Sequence, residues 1–134
     1  MYSYETKLRV RYSETDKMGY VYYGNYPQYY EVGRVELMRS LGYSYRNLED
    51  MGIMMPVLNL SVRYLRPAFY DDELTIKTIV REMPSSRVRF EYEIYNIDGQ
   101  MLNTGEAVLG FINSDTRRPM RPPKEILESF KQFF

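Results

Sequence analysis

The sequence predicts an α+β domain in which an antiparallel sheet wraps around one long central helix. Three observations carry that prediction. An early segment, Thr6 to Tyr12, alternates apolar and charged residues with a period of two. One long segment, Tyr26 to Ser40, places its apolar residues at helical spacing between a start and a stop signal. The segments from Leu60 to Asn113 return to period two and are joined by turn residues, as antiparallel strands are.

In the first strand, Leu8, Val10 and Tyr12 form one face and Lys7, Arg9 and Arg11 the other. The helix is expected to start at Asn25, a good cap, with Gln28 three residues on as in a capping box. Pro27 is tolerated in the first turn, where its missing donor costs little. Tyr26, Tyr29 or Tyr30, Gly33, Leu37 and Leu41 then recur on one stripe, and Gly42 closes the helix. Gly33 costs about 1 kcal/mol against alanine in mid-helix, so a close approach of the helix backbone to another element is expected there. Ser44 to Met51 predicts a second short helix, ended by Gly52.

Four strands follow. Leu60, Val62 and Tyr64 alternate until Pro67. Leu74, Ile76, Thr78 and Val80 alternate until the Met83–Ser86 turn. Val88, Phe90, Tyr92 and Ile94 alternate until Asp98-Gly99, and Thr104 to Asn113 forms the last strand. Short connections predict a meander of these four. After Pro122-Pro123, the apolar residues Ile126, Leu127, Phe130, Phe133 and Phe134 predict a short terminal helix. A single sheet on one helix leaves edge strands and an uncovered side, which pairing of two copies through the sheet would remedy.

The 134 residues suit one domain, residues 1–134, with a core large enough to need no staple. Eighteen basic and eighteen acidic residues cancel, which argues against a nucleic-acid surface. With no cysteine there is no thiolate nucleophile or disulfide, and a reducing, cytoplasmic compartment fits. With no histidine, the Ser-His-Asp and Cys-His arrangements and His-based zinc sites are excluded. No metal and no cofactor are expected. No apolar run approaches the roughly 18 residues of a membrane span. Catalysis must therefore rest on carboxylates, backbone amides, hydroxyls or tyrosines.

The segment Ser13 to Glu31, SETDKMGYVYYGNYPQYYE, concentrates tyrosines around Asp16, a Gly19 turn and Gly24-Asn25 just before the helix. The order of strand, ETDKMGYVYYGNY, helix YYEVGRVELMRSLG and later VRYLRPAFYDDELTI closely resembles the hotdog-fold acyl-CoA thioesterases of the 4-hydroxybenzoyl-CoA thioesterase family. The bacterial short-chain acyl-CoA thioesterase branch is the nearest group. The resemblance spans Lys7 to Asn113 and implies a five-stranded antiparallel sheet around a long helix. It also implies homodimers, often paired into tetramers, with active sites between protomers and acyl-CoA as substrate. Asp16 falls on the family's catalytic aspartate. Tyr23 falls on a position that is His in many members of that branch and Tyr in others, and its backbone N–H is the one the family uses to polarise the thioester carbonyl.

The first turn of a helix offers unpaired N–H groups and partial positive charge, suited to a developing oxyanion. Gly24 would let a substrate approach the backbone, with Gly19 shaping the turn and Asn25 fixing the helix end. Asp16 would act either as nucleophile or by activating water. Glu31, at a helix position where some relatives carry a catalytic acid, reads instead as a partner of Arg34 or of the packing, and Asp71-Asp72-Glu73 reads as a solvated turn rather than a metal site. Arg63, Arg66, Arg87 and Arg89 are candidates to grip coenzyme A phosphates, with Ser86-Arg87 and Arg63 singled out. The competing expectation is a hotdog module that binds acyl-CoA or acyl-carrier protein without turning it over.

Overall fold

The computed structural model describes residues 1–134. Its elements run β1 (Tyr2–Arg9), a 3-10 turn (Tyr12–Glu14), a second 3-10 turn (Tyr23–Asn25), α1 (Tyr26–Ser40), α2 (Tyr45–Asp50), β2 (Ile53–Met54), β3 (Val57–Tyr64), β4 (Glu73–Val80), β5 (Arg87–Tyr95), β6 (Met101–Gly110), β7 (Ile112–Asn113) and α3 (Lys124–Lys131).

The first strand lies earlier than its alternation suggests. β1 ends at Arg9, and Tyr12 lies exposed in a 3-10 turn. The cause is local: the Arg11 amide donates to the Glu14 carboxylate at 2.8 Å, which turns the chain out of the strand.

The long helix has its expected bounds and is followed by Gly42 at φ +98°. Its start differs. Asn25 is already helical (φ −88°, ψ −16°) and makes no side-chain cap, so the predicted box with Gln28 does not form. Its Nδ2 instead donates to the Glu14 carbonyl at 2.8 Å. The 3-10 turn carries the helical path back to Tyr23, after extended Tyr22 (φ −59°, ψ 129°). The second short helix is present as α2, capped by Ser44 Oγ accepting from the Asn47 amide at 3.0 Å.

Five strands form one antiparallel sheet in the order β1-β4-β5-β6-β3. Only β4, β5 and β6 make the predicted meander. β3 pairs with β6 across the sheet rather than with its sequence neighbour β4. Pro67 cannot donate to a ladder, and the segment after it is engaged elsewhere: Ala68 O accepts from Val21 N at 2.8 Å, and Phe69 bridges Tyr20. The last strand is likewise split, into β6 and the short β7 that pairs with β2.

α1 crosses the apolar face formed by Leu74, Ile76 and Val80 of β4, Phe90, Tyr92 and Ile94 of β5, and Ala107 and Leu109 of β6. The approach inferred at Gly33 is present: a Cβ there would collide with the Thr78 hydroxyl and lie 2.9 Å from an Ile76 methyl. Tyr30 stacks on Tyr92, centroids 4.2 Å apart, and its hydroxyl donates to Asn103 Oδ1 at 2.6 Å. The Phe133 ring, beyond α3, stacks on Tyr2. β3 is an edge strand with Leu58, Leu60 and Tyr64 exposed. No helix is long and apolar enough to cross a membrane.

Candidate active site

Asp16 stands at the mouth of a tight loop. Its amide donates to Tyr20 O at 2.8 Å, its carbonyl accepts from Gly19 N at 3.0 Å, and Thr15 bridges Val21. Gly19 adopts φ +81°, a conformation other L-residues rarely take, which explains the glycine. The Asp16 carboxylate is half-buried. Oδ1 accepts from the amides of Met18 (2.9 Å) and Tyr20 (3.2 Å), while Oδ2 takes neither bond. The ion pairs of the chain lie elsewhere and leave Asp16 without an arginine or lysine partner.

Beside it lies a cavity of ≈ 280 Å³ lined by Asp16 and Arg66, by Tyr20, Tyr23, Tyr26 and Tyr64, and by aliphatic side chains such as Met18 and Leu65. Tyr26 is buried, and burial pushes its hydroxyl up to about 12. Tyr23 and Gly24 occupy the first two positions of the 3-10 turn, where a helix's own bonding leaves amides free. At Gly24 a Cβ would lie 2.5 Å from the Tyr22 ring, which packs on Tyr23, so a larger residue there would displace that ring.

Two bonds hold this opening against the acid loop: Tyr22 N and Asn25 Nδ2 both donate to Glu14 O, each at 2.8 Å. Val21 N donates to Ala68 O at 2.8 Å and ties the loop to the segment after Pro67. Glu14 is buried, which alone would raise its carboxyl. The Arg11 amide, the Arg11 guanidinium and the Tyr29 hydroxyl outweigh burial and hold it below the usual range.

Asp16 and Tyr23 thus line one cavity, while Gly19 lies in the Asp16 loop and Gly24 and Asn25 follow Tyr23 in the 3-10 turn without lining it. The other expected residues lie apart from it within the chain. Arg63 faces the side of the sheet away from α1, in a groove with Glu91, Glu93 and Glu106. Arg87 lies beside Leu58 and Asn59 at the start of β3, where it lines a cavity of ≈ 470 Å³ with Ser85 and Arg89. The neighbouring Ser86 carbonyl accepts from Phe111 N at 2.9 Å. Tyr64, at the other end of β3, is roughly 20 Å away at the usual rise per residue. Of the four candidate arginines, Arg66 is the one beside Asp16.

Glu31 is exposed and does not pair with Arg34, which is buried against the hydroxyls of Tyr45 and Tyr92. Asp72 caps its own turn by accepting from Phe69 N at 2.9 Å, and Glu73 pairs with Lys7 and Arg9, consistent with a solvated turn. Glu14 and Tyr64 escape a sequence reading. Glu14 has the spacing of an ordinary turn residue after Arg11, and Tyr64 is one member of an alternating strand.

A five-stranded antiparallel sheet around one long helix defines the hotdog fold. The model of the Thioesterase-like superfamily matches residues 10–130. The chain belongs to that superfamily and is a thioester hydrolase. It is 34% identical over 101 residues to the putative acyl-CoA thioesterase YneP of Bacillus subtilis, covering 75% of this chain and 73% of the relative. It is 32% identical to the acyl-CoA thioester hydrolase YbgC of Escherichia coli, covering 93% of each chain. The solved DHNA-CoA thioesterase of Staphylococcus aureus superposes with a TM-score of 0.94 at 36% identity, over 99% of this chain and 91% of that one.

Proposed function

We propose that the protein hydrolyses acyl-CoA thioesters, with Asp16 as base or nucleophile and the amides of Tyr23 and Gly24 as donors to the thioester oxygen. The observation that carries this reading is the divided Asp16 carboxylate: two loop amides hold Oδ1, Oδ2 takes neither bond, and Asp16 lines a cavity with four tyrosines. As base, Asp16 takes a proton from water as the water oxygen bonds to the carbonyl carbon. As nucleophile, Oδ2 forms that bond itself, and water later cleaves the resulting anhydride. In both routes the carbonyl oxygen gains charge at the helix opening, the C–S bond breaks, and coenzyme A leaves as thiolate. Oriented amides at such a position contribute several kcal/mol.

An aromatic acyl group suits the tyrosine wall, because ring pairs prefer edge and offset contacts that Tyr23, Tyr26 and Tyr64 already make with one another. The likeness to the Staphylococcus aureus DHNA-CoA thioesterase supports the same acyl class. Arg66, which lines the same cavity as Asp16, is the candidate within the chain for a coenzyme A phosphate. The exposed edge of β3 supports a homodimer, or a dimer of dimers, formed by antiparallel pairing of β3 with its copy. Such pairing sets the start of one β3 beside the end of the other. Ser86 and Arg87 of one protomer then serve the Asp16 cavity of its neighbour, and Arg63 has a lesser part. The reaction belongs in the cytoplasm, the compartment of acyl-CoA metabolism.

Thiol release from a panel of aromatic and aliphatic acyl-CoAs tests this reading. Turnover of aroyl-CoA is expected. Tight binding of acyl-CoA without thiol release would make the protein a binding module instead. Rapid-quench mass spectrometry separates the two routes: the nucleophilic one leaves an acyl group on Asp16, and the other leaves none.

A further inference from the structure

Hydrolysis as proposed above needs the Asp16 carboxylate and the amides of Tyr23 and Gly24 at a fixed separation. No hydrogen bond from Asp16 reaches the helix opening; its bonds stay within its own loop. Glu14 makes the connection. Its main-chain oxygen accepts from Tyr22 N and from Asn25 Nδ2, one on each side of Tyr23 and Gly24. Its carboxylate gathers donors from two further elements: the Arg11 amide at 2.8 Å and Arg11 Nη2 at 3.0 Å beyond β1, and the Tyr29 hydroxyl at 3.0 Å from the first turn of α1. The residue is only 7% exposed, and Asp16 follows it by two positions.

We infer that Glu14 is a positioning residue of the hydrolytic site: it sets where Asp16 stands relative to the helix-opening amides and touches no substrate itself. This rests on the function proposed above. The residue type follows from the donors. A carboxylate accepts through both oxygens, so it serves the amide, the guanidinium and the phenol together. Glutamine at this position keeps one acceptor oxygen and sets an NH₂ group against the remaining donors. The loop then relaxes outward, while the packing of α1 on β4, β5 and β6 remains, since Tyr29 keeps its ring in that core. A misplacement of about 1 Å costs on the order of 100-fold in rate.

The test compares Glu14→Gln and Tyr29→Phe with the unchanged protein in three measurements: thiol release, coenzyme A binding, and amide hydrogen exchange at Tyr22 and Asn25. In Glu14→Gln, kcat is expected to fall about 10- to 100-fold. In Tyr29→Phe, which removes one hydroxyl, it is expected to fall about 3- to 10-fold. KM and the Kd for coenzyme A stay within about 3-fold, and exchange accelerates at Tyr22 and Asn25 but not along the rest of α1. The inference is overturned if kcat is unchanged in both variants. It is also overturned if exchange accelerates throughout α1 and the sheet while kcat and coenzyme A binding are lost together, which is the signature of a merely structural residue. Should Glu14→Gln not fold, Tyr29→Phe decides by the same measurements. An unchanged protein inactive on every acyl-CoA would sink the proposed function, and the exchange data would still decide whether Glu14 holds the helix opening.

Discussion

The hydroxyl of Tyr64 donates to the carbonyl oxygen of Tyr23 across 3.2 Å, tying the edge strand of the sheet to the peptide that opens the helix. That carbonyl shares its peptide plane with the Gly24 amide. A hydrogen bond accepted on the oxygen polarises the N–H on the other side. Tyr64→Phe keeps the ring and its contact with Tyr26 but removes this bond. A kcat lower by about 3- to 10-fold, with little change in KM, is expected for one neutral hydrogen bond of about 0.5–1.5 kcal/mol. Steady-state kinetics on an aroyl-CoA checks it, and a change confined to KM would assign Tyr64 to substrate packing alone.

Gly33 sets how closely α1 lies on β4. Alanine gains about 1 kcal/mol of helix propensity. Its methyl, however, must displace Thr78 and Ile76 in a packed layer, where overpacking costs about 1–3 kcal/mol. A net loss of stability is expected for Gly33→Ala in chemical denaturation. A more stable protein would show that the helix can lift off the sheet without cost.

Buried tyrosines make the protein sensitive to alkali. Burial raises Tyr26 from 10.0 to about 12, and Tyr30 and Tyr92 are raised in the same way. A group whose pKa is raised on folding contributes stability that is complete below its unfolded value and is lost as pH rises through the folded one. Stability is therefore expected to fall between pH 10 and about 12. Tyr26→Phe should make that fall shallower. Denaturation midpoints across this window, read beside phenolate absorbance, measure it; equal slopes for both proteins would contradict it.

The fold was largely legible because its signals are local. Asn25 to Gly42 carries its period and stop within one segment, and β4 to β6 are joined by turns whose residues are diagnostic. The order of β3 was not legible, since Pro67 marks where a strand stops but not where the chain goes next. At the site, Asp16, Gly19 and Tyr23 stood out through composition and resemblance. Glu14 did not, because its role depends on Arg11, Tyr22, Asn25 and Tyr29 converging on it in space. The helix cap was misassigned for a related reason: Asn25 has the right chemistry for a cap, but its amide is drawn to the Glu14 carbonyl instead.

The most direct measurement is thiol release by Asp16→Asn with coenzyme A affinity determined on the same preparation. The substitution keeps the shape of the side chain and an acceptor for the Met18 and Tyr20 amides while abolishing its basicity. A kcat lower by at least about 100-fold, with coenzyme A bound as tightly as before, is the predicted result. Turnover at the unchanged rate would contradict the assignment of Asp16 as the group that drives hydrolysis.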